Sequence, residues 1–431
     1  MIIRKLHVEQ DGKIIAHFSL FSEATESKLN SKHSYFSLIL GENGVGKSRF
    51  LKILQDIFLC VESSVSHEKT SLKRYDVPYD FEIEYSIGSS IILAHKEKKE
   101  PFVHFSVPDE FYSHDNSVLP TNVLAVSFMV SDKFLFTKNN KSVYKYLGVR
   151  TAANGTFTSS IFHIFTENLI TAINDGKSKT VRSILKEIGF DDDFIEVTHG
   201  NTGKKGTLAY QTTYKAEGNS FFTTHQNDSI LTGKTTASSI SFKKKGQVVK
   251  FDDLSSGEKH LLFAMIGILR HINHNSIILI DEPEISLHPE WQNNYINKLK
   301  KYFSDYNDCH FIIASHSHYL VSDMPIDNSS VIVFRKNEMN YSMIDAEVIP
   351  YSTNAWSAEN IIYNVFGMRT TRNYYFENDL NQLLSATENK NHLDIELADR
   401  MLKKLKKYVL SEADPLIPVL KEAEEIINVQ S

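Results

Sequence analysis

The octapeptide Gly41-Glu42-Asn43-Gly44-Val45-Gly46-Lys47-Ser48 fits the pattern GxxxxGK[ST], which functions only between a strand and a helix. The flanks agree. Phe36-Ser37-Leu38-Ile39-Leu40 is apolar and β-rich, and Phe50, Leu51, Ile53, Leu54, Ile57 and Phe58 recur at helical spacing. Gly41, Gly44 and Gly46 let the backbone curl with its N–H groups pointing inward at a triphosphate, aided by the positive end of the following helix. In such a cradle Lys47 reaches the β- and γ-phosphates and Ser48 ligates Mg2+, so ATP and Mg2+ are the expected cofactors. Glu42, Asn43, Val45 and Arg49 complete the nucleotide-contacting segment. A glycine-rich turn before an ordinary helix is the bland alternative.

Ser276-Ile277-Ile278-Leu279-Ile280-Asp281-Glu282-Pro283 is too apolar for a half-exposed strand and ends in two acids. It predicts a central parallel strand that delivers carboxylates to the C-terminal edge of a sheet. Asp281 would hold Mg2+ through its water shell, and Glu282 is placed to polarise an attacking water. Leu254-Ser255-Ser256-Gly257-Glu258-Lys259 reads by itself as a helix N-terminus, with an apolar helical pattern after it. Cys309-His310-Phe311-Ile312-Ile313-Ala314-Ser315-His316 is another short apolar strand with a histidine just past its end.

The order of these four stretches resembles the ABC-type ATPases in their soluble, SMC-like branch, over about residues 1–60 and 248–335. The resemblance implies a P-loop ATPase head of α/β class: a mixed sheet with flanking helices and an antiparallel β part. It further implies that Ser255, Ser256 and the Gly257 backbone, within the Leu254-to-Glu258 signature, contact the γ-phosphate bound by an opposite copy. His316 would be the switch histidine, and Ser286-Leu287-His288 the dimer-facing D-loop. Catalysis would then fall to Glu282 and His316, and one chain would carry two half-sites of an ATP-sandwich dimer. One departure stands out. Such ATPases carry a Mg2+-ligating glutamine between the phosphate loop and the signature, yet no glutamine lies between Gln55 and Gln211. Ser127 or Asp132, in and after the strand-like Val123-Leu124-Ala125-Val126-Ser127-Phe128, occupies the expected region, and slow hydrolysis is one consequence.

With 431 residues the chain has length for two or three compact units. Its 41% hydrophobic and 23% charged residues are those of a globular protein, without a run long enough to span a bilayer, so no membrane role is expected. Two cysteines, Cys60 and Cys309, far apart in apolar elements, argue against a disulfide framework or zinc cluster and fit a reducing cytoplasm. A net charge of −6 gives no overall nucleic-acid footprint, although Lys204-Lys205, Lys243-Lys244-Lys245 and the lysines at 403, 404, 406 and 407 could touch phosphates.

Four regions are expected: residues 1–130, the first half of the head; 131–240, an insertion read as a compact, partly helical cap; 241–350, the second half; and 351–431, a helical tail. Helical spacing marks 161–173 and 180–188 in the insertion, and 358–366, 376–384, 393–410 and 417–429 in the tail. No sustained heptads appear in the insertion, which excludes a long coiled-coil arm. The tail is a candidate docking surface for a second copy or another protein, or a coat over the head's own sheet. Length, head and tail, including Trp356-Ser357-Ala358-Glu359-Asn360 and Val365-Phe366-Gly367, look like the ATPase components of Septu-type antiphage systems. That resemblance implies an oligomeric scaffold and nucleotide sensor working with a separate HNH endonuclease. The alternative is a DNA-repair or recombination ATPase that clamps duplex DNA. A transporter subunit is disfavoured by the absent glutamine.

Overall fold

The computed structural model describes the chain except residues 22–32, 66–74, 108–117, 130, 138–140, 151–156, 202–209, 218–219, 227–234, 338–342, 358–359, 362–364, 366–373, 389–394, 409–413, 415 and 431. It divides into two compact units, Met1–Trp356 and Ser357–Ser431.

A seven-stranded sheet organises the first unit, in the order Asp345–Val348, Ser329–Arg335, Tyr35–Leu40, His310–Ala314, Ile277–Asp281, Val123–Ser127, Tyr144–Gly148. All neighbours are parallel except the Asp345 edge strand. The four strands that begin at Tyr35, His310, Ile277 and Val123 are buried along their whole length, which is why their sequences are runs of apolar residues rather than alternations. Helix Lys47–Val65 packs its Phe50, Leu54, Ile57 and Phe58 into the core beneath a second, antiparallel sheet. That sheet runs in the order Lys13–Ser19, Ile2–Gln10, Asp80–Ile87, Ser90–Lys96, His104–Ser106, and it contributes Leu6, Val8, Ile83 and Tyr85. The fold is thus α/β, a mixed sheet with flanking helices and an antiparallel β part.

Register does the positioning. Asp281 lies opposite Ser127 on one side and Ala314 on the other, and Ala314 lies opposite Ile39. These strand ends are therefore level, and the loops after them emerge along one edge of the sheet, where ligands of open parallel sheets bind.

Residues 131–240, expected as a partly helical cap, hold two helices and a set of strands. Tyr144–Gly148 joins the central sheet, and helices Phe157–Asn174 and Ser178–Glu187 follow close to the predicted positions. The next strands form a five-stranded antiparallel sheet in the order Ser220–Gln226, Tyr210–Glu217, Asp191–Asn201, Thr235–Lys244, Gln247–Lys250. Its buried residues include Ile195, Val197, Tyr214, Ile240 and Phe242. The apolar alternation there is short and diluted by Thr, Gly and Lys, so partners distant in sequence supply the order that local pattern does not.

In the second unit, helices Tyr374–Glu388, Ile395–Lys406 and Ile417–Gln430 enclose their own core, with Leu380, Leu383, Leu402, Leu405 and Leu420 among its members. Most of the helix expected at 358–366 lies outside the described residues.

The central strands are buried along their whole length. Ile312 is fully buried there, so Ile312→Ala should destabilise the protein by about 2–5 kcal/mol through lost apolar transfer and the cavity left behind. Urea unfolding monitored by circular dichroism measures this, and a loss well under that range would mean the site collapses around the gap.

Candidate functional site

The loop after Leu40 turns sharply into helix Lys47–Val65, and its first glycine is dictated by space. A Cβ on Gly41 would stand 2.5 Å from the Phe334 carbonyl oxygen and 2.8 Å from Val45 Cγ2, at a φ of +150°. Any side chain there would push the loop off the neighbouring strand. Lys47 is buried, and its Nζ donates to the carbonyl oxygens of Gly41 (2.8 Å) and Glu42 (3.2 Å) while lying 3.5 Å from Glu282 Oε1. The next residue, Ser48, donates its Oγ proton to Asp281 Oδ1 at 3.0 Å. The strand register thus brings together two residues separated by most of the chain. A hydroxyl and a carboxylate side by side are hard oxygen donors of the type Mg2+ takes, so this pair fits the metal that an ATP site requires.

Behind the pair the site is acidic. Burial pushes the Asp281 carboxyl up to about 6, opposed by the Ser48 hydrogen bond and the Lys47 charge. Glu282 rises to about 7, first through burial and then through the neighbouring charge of Glu284. Its backbone is held at φ +51°, the left-handed region that residues other than glycine seldom occupy. A carboxyl with proton affinity near neutrality is suited to accept a proton from water. His316 stands beside it, half-exposed, with Nδ1 2.6 Å from Glu282 Oε2 and 3.3 Å from Glu284 Oε1. Glu284 fixes that histidine's backbone as well: its Oε1 accepts from the Ser315 hydroxyl (2.6 Å) and the His316 N–H (2.8 Å).

Residues 43–49, Glu282 and His316 line one open cavity of about 410 Å³, together with Met129, Lys133, Ile285, Met343 and Ile344. Asp281 sits just behind it through its bond to Ser48. The residues read from sequence as phosphate loop, acid pair and switch histidine therefore converge.

The signature residues do not line that cavity. Ser255 caps helix Ser256–His271: its Oγ accepts from the Glu258 N–H, and the Glu258 carboxylate accepts from the Ser255 N–H and Oγ, both at 2.8 Å. Burial acts against ionisation of Glu258, but hydrogen bonds from Lys244 and Ser255 outweigh it and hold the carboxyl below its usual range. The Glu258 side chain is thus engaged within its own helix terminus and with Lys244, 2.5 Å away. Ser255 and Ser256 are exposed, and Gly257 is buried against the segment after the acid pair, where an added Cβ would lie 2.8 Å from the Ser286 carbonyl oxygen.

Glu284 and Lys133 belong to the site but were not singled out by sequence reasoning. Glu284 could have been found as a second acid two residues after Glu282, since the alternation of a tight turn returns it to the same neighbourhood. Of the residues offered in place of a glutamine, Ser127 is buried opposite Asp281, and the Asp132 carboxylate accepts from the Tyr146 hydroxyl at 2.6 Å and the Phe134 N–H at 3.0 Å. Neither lines the cavity.

This chain is similar to Septu proteins PtuA and to retron probable ATPases. It is 21% identical over 403 residues to the Retron Vc95 probable ATPase of Vibrio cholerae serotype O1 biovar El Tor, covering 78% of this chain and 76% of that protein. To the Septu protein PtuA of Bacillus thuringiensis it is 25% identical over 189 residues, 40% of this chain and 45% of that protein. Residues 172–322 match the family described as "AAA domain, putative AbiEii toxin, Type IV TA system". Among solved structures, the SMC head domain from Thermotoga maritima aligns with 81% of this chain and 99% of that one, at 12% identity and a TM-score of 0.40. No described helix is long and apolar enough to cross a membrane.

Buried histidines should make stability depend on pH, and His260 in helix Ser256–His271 is one of them. His260 stacks on Phe128, and burial pushes its imidazole down to about 3. The unfolded chain binds a proton at this histidine below pH 6.5 and the folded chain does not, so stability should fall between pH 6.5 and 3, by at most roughly 1.4 kcal/mol per pH unit from this group. A His260→Leu variant should lose that share of acid sensitivity. Superimposable acid-unfolding slopes for the two proteins would rule the histidine out as their source.

Proposed function

We propose that this chain is an Mg2+-dependent ATPase in which two copies close around shared nucleotides, and that its ATP-bound assembly regulates a separate nuclease in antiphage defence. The observation that carries the nucleotide reading is the convergence of Lys47, the Ser48–Asp281 pair and the Glu282–His316 pair on one cavity. In this reading residues 41–49 hold the phosphates, Ser48 and Asp281 hold Mg2+, and Glu282 orients and deprotonates the attacking water with His316 beside it.

The dimer follows from what the cavity lacks. Ser255 and Ser256 are exposed at a helix N-terminus, the kind of helix end that attracts phosphate, yet neither they nor Gly257 line their own chain's cavity. A second copy presenting that turn would complete the site, making ATP a ligand of the interface and linking its binding to assembly. Similarity to a Septu protein PtuA and to retron probable ATPases supports the defence reading, and the Septu-type resemblance of the sequence suggests a separate HNH nuclease as the regulated partner.

Lys47→Ala should weaken ATP binding by about a hundredfold or more, since a buried charge-assisted contact to phosphate is lost, and should abolish ATP-dependent assembly. Glu282→Gln should bind ATP normally and accumulate as the ATP-bound dimer. Isothermal titration and light scattering with and without Mg·ATP test both. Assembly unchanged by ATP in the unaltered chain and in both variants would defeat the shared-site reading. For the regulatory reading, the chain alone should leave duplex DNA uncut and should co-elute with a small HNH protein encoded beside it. Tight, salt-sensitive binding of duplex DNA by this chain alone would favour the DNA-clamp alternative instead.

A further inference from the structure

We propose that Lys133 is a second phosphate-binding lysine of this site, contacting the terminal phosphate from the wall opposite the glycine loop. This rests on the reading that ATP occupies the cavity. Lys133 lines the same cavity as residues 43–49, Glu282 and His316, is exposed, and makes no hydrogen bond or ion pair among the described residues.

Its approach direction follows from the sheet order. The strand Val123–Ser127 lies on the far side of Ile277–Asp281 from the strand that leads into the phosphate loop, and Ser127 is level with Asp281. The loop that carries Lys133 therefore reaches the cavity from the side of the metal-binding pair, where the last phosphate of a nucleotide held by residues 41–48 would lie.

The backbone around Lys133 is pinned on both sides. Before it, the buried Asp132 carboxylate accepts from Tyr146 and from Phe134 N–H. Arg150 donates to the carbonyl oxygens of Asp132 (3.3 Å) and Phe134. After it, the Leu135 N–H donates to Gln55 Oε1 at 2.7 Å, and the Leu135 carbonyl accepts from the Tyr144 hydroxyl at 2.8 Å. The loop backbone is therefore held in place, so the base of the Lys133 side chain is fixed at the cavity while its exposed ammonium group is available to an anion. A lysine merely solvated at the cavity rim needs no such tethering.

Charge balance points the same way. Glu282 lines the cavity, Asp281 and Glu284 are buried next to it, and Lys47 is a buried cation 3.5 Å from Glu282. A triphosphate adds further negative charge that Mg2+ only partly offsets, so a cation on the opposite wall lowers the energy of the bound state. An ammonium group has donors and no lone pair, so Lys133 cannot ligate Mg2+ as a glutamine oxygen does. Its contact would be with phosphate oxygen, which makes its contribution depend on the presence of the last phosphate.

The test is titration of the full chain and of Lys133→Ala and Lys133→Arg with Mg·ATP and with Mg·ADP. Lys133→Ala should weaken ATP binding by about tenfold and ADP binding by less than about threefold, with Lys133→Arg close to the parent. ATP affinity unchanged in Lys133→Ala, or an equal loss for ATP and ADP, would overturn the proposal while leaving the ATP site itself intact. Failure of the unaltered chain to bind either nucleotide would instead overturn the reading of the cavity.

Discussion

Four buried parallel strands ending at the same level are the constraint from which the site follows. Ser48 meets Asp281 because the strand before the glycine loop and the strand before the acids lie in one sheet, separated only by the strand His310–Ala314. That intervening strand ends one residue before Ser315, whose hydroxyl, with the His316 N–H, holds Glu284. A one-residue slip in any of these pairings would invert the faces of the shifted strand and carry its terminal group out of reach. The apolar uniformity of the strands is therefore more than filler. Burial on both faces makes the register costly to change, and the register aligns the chemistry.

Holding carboxyls in such a place has an electrostatic consequence. Asp281 and Glu282 both bind protons more tightly than free carboxyls, chiefly because burial disfavours their charge, with Glu284 adding to the effect at Glu282. Cations work against this. Lys47 already does so for both groups, and a divalent ion at Ser48 and Asp281 would do so more strongly. The site is thus built so that cofactor binding and ionisation of its acids support each other. The signature turn lies outside that logic. Its capping box and the close approach of Gly257 to Ser286 make it a preformed helix end within one chain, and its residues do not line that chain's cavity.

Much of this was legible from sequence because the relevant signals are local. The glycine loop, the strand that ends in Asp281 and Glu282, and the strand before His316 each combine a short apolar run with chemically distinctive residues at its end, and covalent geometry ties the two together. The five-stranded sheet between residues 191 and 250 was not legible. Its strands mix Thr, Ser and Lys with few apolar residues, and only pairing such as Ile195 with Tyr214 and Phe242 shows which positions are core. Lys133 was hidden for a different reason. A surface lysine after a buried strand is ordinary until its loop is seen to be anchored through Tyr146, Arg150 and Gln55.

Sequence alone determined which residue types stand at the ends of which strands, because backbone turns and apolar runs are written in neighbouring residues. Tertiary structure decided which of those ends meet. It placed Ser48 against Asp281 and Glu282 against His316, withheld the Ser255-to-Gly257 turn from the cavity, and brought Lys133 to its rim. The physical reason is that strand order and register depend on the packing of the whole sheet, a sum over distant contacts that no local stretch of the chain contains.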